Sequence, residues 1–338
     1  MPDCGSQIIL CDVPIRLDTY KGCAHGCKYC FTYRKYDISK IKNNDSPSSL
    51  KDFINGKRNS TCFWCDWNIP LHWGGLSDPF QPIEKEKKRS LEMLKIFAET
   101  QYPTIVSTKG RLVVEPEYLD LIKKCNMVVQ ISMVSPKYDK LEQNAPPFEE
   151  RLSWLKTLSK NSKRLIVRCQ PYMLEAREDV LNILPEYKKR GVHGIIFEGI
   201  KFFSKIHSDL IKLGADYAYP YKIIKSHFEQ IKDEAHKHGL KIYAGENRLR
   251  PLGDSLSCCG YDGLEGFKGN TANLNHYLYD KPNFKYTPQM EVNRTSHPLG
   301  ASAQTSIRGK VLGKETYKNM FELILKDKKK LNIYLSRD

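Results

Sequence analysis

The chain has 338 residues, with 54 Lys and Arg against 39 Asp and Glu and a net charge of +15. Its 40% hydrophobic and 28% charged content is ordinary for a soluble globular protein. No apolar run approaches the ~20 residues that a membrane helix needs, and Met1-Pro2-Asp3 lacks the basic-then-apolar pattern of a signal peptide.

The 11 cysteines are odd in number, which argues for reduced thiols and a cytoplasmic location rather than a secreted disulfide framework. The positive excess favours a polyanionic partner, of which nucleic acid is the commonest. Lysine-rich helix faces that are merely solvated explain the same charge, and no RNA-recognition or helix-turn-helix pattern tips the balance. The sequence carries no signal for an oligomeric state.

Taken in chain order, Val13-Pro14-Ile15-Arg16-Leu17-Asp18 predicts a first strand. It leads into Cys23-Ala24-His25-Gly26-Cys27-Lys28-Tyr29-Cys30. Strands follow at Ile69–Trp73, Pro103–Ser107, Met127–Ser132, Leu165–Cys169 and Gly194–Glu198, with a candidate seventh at Lys241–Ala244. Between them lie helical stretches at Ile83–Thr100, Glu115–Cys125, Pro147–Ser159 and Arg177–Arg190. Their apolar residues recur at three and four, as in Leu91, Leu94, Ile96 and Phe97. Six βα units predict an α/β fold, a partial (βα)6 TIM-like barrel over residues 1–246 that is open on one side. Functional groups in such barrels gather at the carboxyl ends of the strands, where the cysteine loop falls. Residues 31–66 read as a long polar insertion. Residues 247–338 read as an irregular extension that covers the barrel mouth and ends in a helix from Glu315 to Leu331.

Three thiolates on one short loop suggest a metal centre with an open position, because a closed structural zinc site wants four protein ligands. The competing reading is half of a zinc site completed by a distant residue. Gly74-Gly75 ends the second strand, where missing side chains let backbone approach a ligand or make a tight turn. Ser77 and Asp78 are suited to hydrogen-bonding a ligand or to capping the helix that begins near Pro82. Lys109 and Ser132 end the third and fourth strands. Arg168 lies within an apolar strand, where an unpaired guanidinium is costly, so it should meet Glu198 or a ligand. Cys4, Cys11, Cys62 and Cys65 precede strands one and two, and together they would suit a second metal, with unlinked packing cysteines as the alternative. Cys258 and Cys259 follow the seventh strand and are expected over the mouth as candidate catalytic thiols or as buried small residues. Gly263–Tyr277 is dense in Gly, Asn and aromatics, which suits either base recognition or an internally structured loop.

The segments Tyr20–Phe31, Leu76–Glu84, Ser107-Thr108-Lys109, Ile131-Ser132, Leu141–Pro146 and Glu149–Leu152 resemble the spore photoproduct lyase and DNA repair photolyase-like branch of the radical SAM superfamily. The resemblance spans about residues 13 to 200. It implies that Cys23, Cys27 and Cys30 hold a four-iron four-sulfur ([4Fe–4S]) cluster whose fourth iron chelates S-adenosylmethionine (SAM). Reduction by an external donor of flavodoxin or ferredoxin type would then cleave SAM and generate a hydrogen-abstracting radical. It further implies SAM contacts from Tyr29, Gly74, Gly75, Ser77, Asp78, Lys109, Ser132 and Arg168. In that branch a cysteine two residues before the Ser-Asp pair returns a hydrogen atom to the product; here the position is Gly75, which argues against thymine-dimer repair. The substrate expected is a nucleobase or nucleotide in DNA or RNA. Radical modification of a peptide or small molecule, or an iron–sulfur nucleic-acid sensor without turnover, are the alternatives.

Overall fold

The computed structural model describes residues 1–4, 10–57, 68–213, 216–286, 317–327 and 331. Its main sheet begins with β1 (Asp3–Cys4), antiparallel to β2 (Ile15–Leu17). A small ribbon of β3 (Tyr20–Lys21) and β4 (Lys42–Asn43) brackets the cysteine loop. From β2 the sheet continues in parallel through β5 (Leu71–Trp73), β6 (Thr104–Thr108), β7 (Met127–Ser132), β8 (Arg164–Tyr172) and β9 (Gly194–Gly199). Beyond a separate hairpin of β10 (Ile211–Leu213) and β11 (Asp216–Ala218), β12 (Lys241–Ala244) joins β9 in parallel. The seventh predicted strand is therefore real, and seven parallel strands replace six.

Helices α1 (Pro47–Ile54), α2 (Glu84–Lys87), α3 (Arg89–Thr100), α4 (Pro116–Ile122), α5 (Phe148–Asn161), α6 (Arg177–Lys189) and α7 (Tyr221–Lys237) lie among the strands. Two sequence expectations need correction here. The helix expected over Ile83–Thr100 breaks in two at Lys88, whose φ of 48° is left-handed. The polar run at 43–49 is not simple insertion: Ser46 caps α1 by accepting from the Ser49 amide, with Pro47 pre-set for the first turn.

Side chains alternate across a strand, so each strand feeds two environments. Trp73, Val106, Val129, Val167, Phe197 and Ile242 face outward into the main core beneath the helices. Ile105, Val128, Ile166, Ile196 and Tyr243 face inward and form a second, smaller core with Val13, Cys259, Tyr261 and Phe267. Further toward the carboxyl ends the inward positions turn polar, at Arg16, His72, Ser107, Gln130, Arg168 and Glu198.

The described part of the extension, residues 247–286, runs back toward the strand starts. After β12 the chain folds back along that strand's free edge, where the Ile242 amide donates to Asp254 Oδ2 (2.7 Å) and the Asp254 amide to the Ile242 carbonyl (2.8 Å). Tyr261 and Phe267 then enter from the amino end as a plug. Arg164, at the start of β8, donates to the Gly260 and Asp262 carbonyls (2.9 and 2.8 Å), and Lys241 pairs with Asp262 (2.7 Å). Apolar inward positions at the strand starts need cover, and the plug's two rings supply it.

The Asn-rich stretch that follows is used internally. Asn270, Asn273 and Asn275 bond to the Cys11 carbonyl, the Asp12 carboxylate and the Leu10 carbonyl, and His276 Nε2 lies 3.1 Å from Asp12 Oδ2. Of its two sequence readings, the internally structured loop is the one seen. Helix α8 (Leu274–Tyr279) and a helix over Tyr317–Lys326 end the described chain. Among the described residues no helix is long and apolar enough to cross a membrane.

Candidate active site

The cysteine loop is held in place before any ligand is considered. Gly22 starts it at φ 92°, where an added Cβ would lie 2.8 Å from the Lys40 carbonyl. The Cys23 amide donates to the Ile38 carbonyl (2.8 Å), the Lys28 amide to the Leu141 carbonyl (2.9 Å) and the Ala24 amide to Gln81 Oε1 (2.8 Å). Gln81 Nε2 and Ser77 Oγ both donate to the Gly22 carbonyl, at 3.2 and 2.6 Å. Asp18 in turn accepts the Leu76 and Ser77 amides, although burial pushes its carboxyl up to about 7.

Asp78 joins three segments. It accepts from the Phe80 amide (2.8 Å), the Thr108 hydroxyl (2.7 Å) and the Lys109 amide (2.6 Å), and its Oδ2 lies 3.2 Å from His25 Nε2. Burial raises its carboxyl, but His25 and these donors outweigh it and hold it below the usual range. Neither Ser77 nor Asp78 caps α2, whose first residue follows Ile83 without a side-chain cap.

Tyr33 donates its hydroxyl to the Gly26 carbonyl of the loop (3.4 Å), and its phenol is raised first by burial and then by Cys30, Cys27 and Cys23. Burial pushes the Cys23 thiol up to about 12, helped by the Asp78 charge. It raises Cys27 too, against the pull of Lys109. Among the described residues no three ligating side chains stand ready-made at metal-binding geometry. The fit therefore rests on donor chemistry. Three thiols share the loop, and its histidine, His25, is already placed between Asp78 and the Asn144 carbonyl (3.2 Å). A soft, multiply charged iron–sulfur group suits such sulfurs, since its positive charge offsets the penalty for ionising buried thiols.

Beside the loop a charged network joins three of the predicted ligand residues. Tyr29 donates its hydroxyl to Glu142, Lys109 Nζ lies 3.8 Å from the same carboxylate, and Arg151 donates to it at 2.5 Å. A second Arg151 nitrogen donates to the Ser132 carbonyl (2.5 Å). The Tyr29 ring sits 5.7 Å below the Lys109 ammonium and tilts against Tyr138. Sequence reasoning gave Glu142 and Arg151 no role. A signal was present: Arg151 occupies the apolar stripe of α5 beside Phe148, Leu152 and Leu155, where a charge demands a buried partner.

Gly74, at φ 86°, could not carry a Cβ, which would lie 2.5 Å from the Ser107 carbonyl; at Gly75 it would touch Arg16 Cδ at 3.0 Å. Arg168 does not bond to Glu198, contrary to the first alternative drawn from the sequence. Its guanidinium donates to Ser107 Oγ (3.0 Å), Gln130 Oε1 (2.9 Å) and Gln170 Oε1, and stands 3.4 Å from His72 Nε2. Neutral acceptors satisfy it because Gln130 on neighbouring β7 and Ser107 on β6 both lie on the inward face. Burial and then Arg168 drive His72 down to about 3, so its imidazole is neutral. Burial raises the Glu198 carboxyl.

Cys258 and Cys259 lie on the floor of this lumen rather than over its mouth; Gln130 Nε2 donates to the Cys259 carbonyl (2.8 Å). The Cys11 carbonyl accepts from the Asn270 side chain (3.3 Å). Cys62 and Cys65 lie outside the described residues, as does the side chain of Cys4.

An open, mostly parallel α/β sheet of this kind is found among solved structures. No family model matches the sequence, and no curated protein does. The chain has the fold of spore photoproduct lyase and of SuiB. A spore photoproduct lyase variant with bound S-adenosylmethionine and dinucleoside spore photoproduct matches with a TM-score of 0.51 at 14% identity, over 69% of this chain and 76% of that one. SuiB from Streptococcus suis bound to S-adenosylmethionine matches with a TM-score of 0.51 at 12% identity, over 80% and 67% of the two chains. SuiB bound to precursor peptide SuiA gives 0.51 at 11%, over 70% of this chain and 49% of that one.

Proposed function

We propose that this chain is a radical SAM enzyme. The observation that carries the reading is the Cys23, Cys27 and Cys30 loop, which offers three thiols and no free fourth ligand. It lies at the carboxyl edge of a sheet whose fold is shared with proteins solved with S-adenosylmethionine. In this reading the three cysteines hold a [4Fe–4S] cluster and leave one iron for SAM. Bound together, the two supply reductive cleavage and hydrogen-atom abstraction.

The chain's own residues then bind and orient. Lys109 holds the SAM carboxylate, in competition with Glu142, while Tyr29 and the Gly74-Gly75 backbone border the same space. Ser77, Asp78 and Gln81 act by fixing the cysteine loop and the start of the Lys109 turn. Deeper in, Arg168, Gln130, Ser107 and neutral His72 form a pre-set array of donors and acceptors that suits a polar, planar substrate edge. With the +15 charge, that array favours a nucleobase or nucleotide in DNA or RNA. Cys258 and Cys259, on the floor below it, are candidate hydrogen-atom donors. Gly75 offers no thiol at the position two residues before Ser77-Asp78, so dimer repair is not the reaction proposed. A peptide substrate is the second reading, favoured by the match to SuiB with its precursor peptide.

The test is anaerobic reconstitution with iron and sulfide, then reduction in the presence of SAM. Iron–sulfur absorbance and release of 5′-deoxyadenosine are expected, and both should be lost in Cys27→Ala. A reconstituted cluster that never cleaves SAM would sink the enzyme reading and leave an iron–sulfur binding or sensing protein. Deuterium transfer into 5′-deoxyadenosine from labelled DNA, RNA or peptide then separates the substrate classes.

A further inference from the structure

Among the described residues, no protein group answers the Arg16 guanidinium. Arg16 takes the inward position of β2, between Ile15 and Leu17, which are wholly buried in the main core. Register sets it beside His72 of β5 on one side and Asp3 of β1 on the other. Residues paired in register share a face of the sheet, on strands about 4.8 Å apart. Arg16 nevertheless forms no hydrogen bond or ion pair with Asp3 or with any other described residue, and its Nε is buried without a partner. A Cβ added to Gly75 would lie 3.0 Å from Arg16 Cδ. Gly75 follows His72 beyond the end of β5, so the Arg16 stem leans toward the carboxyl edge of the sheet.

A guanidinium carries five N–H donors and a charge that it does not lose, so leaving it unpaired in a partly enclosed site is costly. Its surroundings bring no relief. His72 Nε2, on the neighbouring strand, stands 3.4 Å from Arg168, a second guanidinium met by neutral acceptors. Asp18, further along the Arg16 segment, is taken up by the Leu76 and Ser77 amides. Glu198 is on β9 and bonds to neither arginine. Two cations flanking a neutral imidazole make this wall the electrostatic complement of an anion. Lys109, at the end of β6, is the cation assigned above to the SAM carboxylate, which leaves Arg16 for a second anionic group.

We propose that Arg16 is a specificity-determining residue that binds a phosphodiester of the substrate, its planar fork of donors matching two phosphate oxygens. The inference rests on the nucleotide reading of this site and adds a point of attachment to it. His72, Ser107, Gln130 and Arg168 then face the uncharged part of the nucleotide, while Arg16 holds the backbone beside it.

The experiment measures binding of a dinucleoside monophosphate to the full-length chain with no reductant present, so that SAM cleavage plays no part. The comparison ligand is its methylphosphonate counterpart, in which a neutral methyl group replaces the charged oxygen. The native chain is expected to bind the phosphate about tenfold or more tightly than the methylphosphonate. Arg16→Gln should abolish that preference by weakening the phosphate alone, with an unchanged circular dichroism melt. Arg16→Lys, which keeps the charge, should retain part of it. Equal binding of the two ligands by the native chain, or a preference that survives in Arg16→Gln, would overturn the proposal and leave the nucleotide reading standing. Failure of the native chain to bind either ligand would overturn both.

Discussion

Two adjacent glycines illustrate how differently single residues can be constrained. At Gly74 the left-handed backbone and the Ser107 carbonyl, 2.5 Å from where a Cβ would sit, leave no compromise. Gly74→Ala is expected to cost about 3 kcal/mol, from strained backbone and a clash with main chain, read as a drop in the urea midpoint. The neighbouring Gly75→Ala meets only Arg16 Cδ at 3.0 Å, a flexible side chain, so its cost should stay under about 1 kcal/mol. Equal losses at the two positions would contradict this account. The Gly-Gly pair was legible in the sequence as a turn or a ligand cradle, but which glycine is obligatory was not. That depends on a carbonyl from β6, more than thirty residues away.

Among the elements, α8 shows a motif whose composition was legible and whose use the sequence left open. Asn273 caps it by accepting the Asn275 and His276 amides, while the amides of its neighbours hold the segment before β2. Burial works against charging His276, but the Asp12 hydrogen bond and the charges of Asp12 and Asp280 prevail and raise its pKa. The folded value lies above the unfolded one. Its stabilisation is therefore complete below the ordinary histidine range, near about 6.5, and is lost as pH rises through the folded value. The unfolding midpoint of the native chain should fall relative to His276→Gln over that rise. A constant gap between the two across neutral pH would show that the Asp12 contact is not charge-dependent. The strands were recoverable because their apolar runs are strong and regularly spaced. The plug was missed because Tyr261 and Phe267 sit in a stretch without periodicity.

For the molecule as a whole, the plug is what turns a curved sheet into a chamber with a floor. Tyr261 and Phe267 stack at 5.9 Å and pack on inward residues of the sheet. Tyr261→Ala should cost about 3–5 kcal/mol, as for other large-to-small core changes, and should raise hydrogen exchange at Ile105, Val128 and Ile166. Full protection of those amides in the variant would mean that the inner core does not need the plug. The same element brings Cys258 and Cys259 beneath Arg168, so the hydrogen-donor role proposed for these thiols depends on it.

The sequence by itself determined the alternation of strands and helices and the three-cysteine loop that follows the first parallel strand. Both are local: hydrophobic period and ligand spacing are written in consecutive residues. Tertiary structure alone decided that the plug enters from below, that Glu142 and Arg151 tie Tyr29, Lys109 and Ser132 together, that Arg168 is answered by Ser107, Gln130 and Gln170, and that Asn270 meets the Cys11 carbonyl. Each of these pairs residues far apart in the chain. Partners of that kind are chosen by the demand that buried charges and donors be satisfied, and only the folded chain shows which groups come within reach.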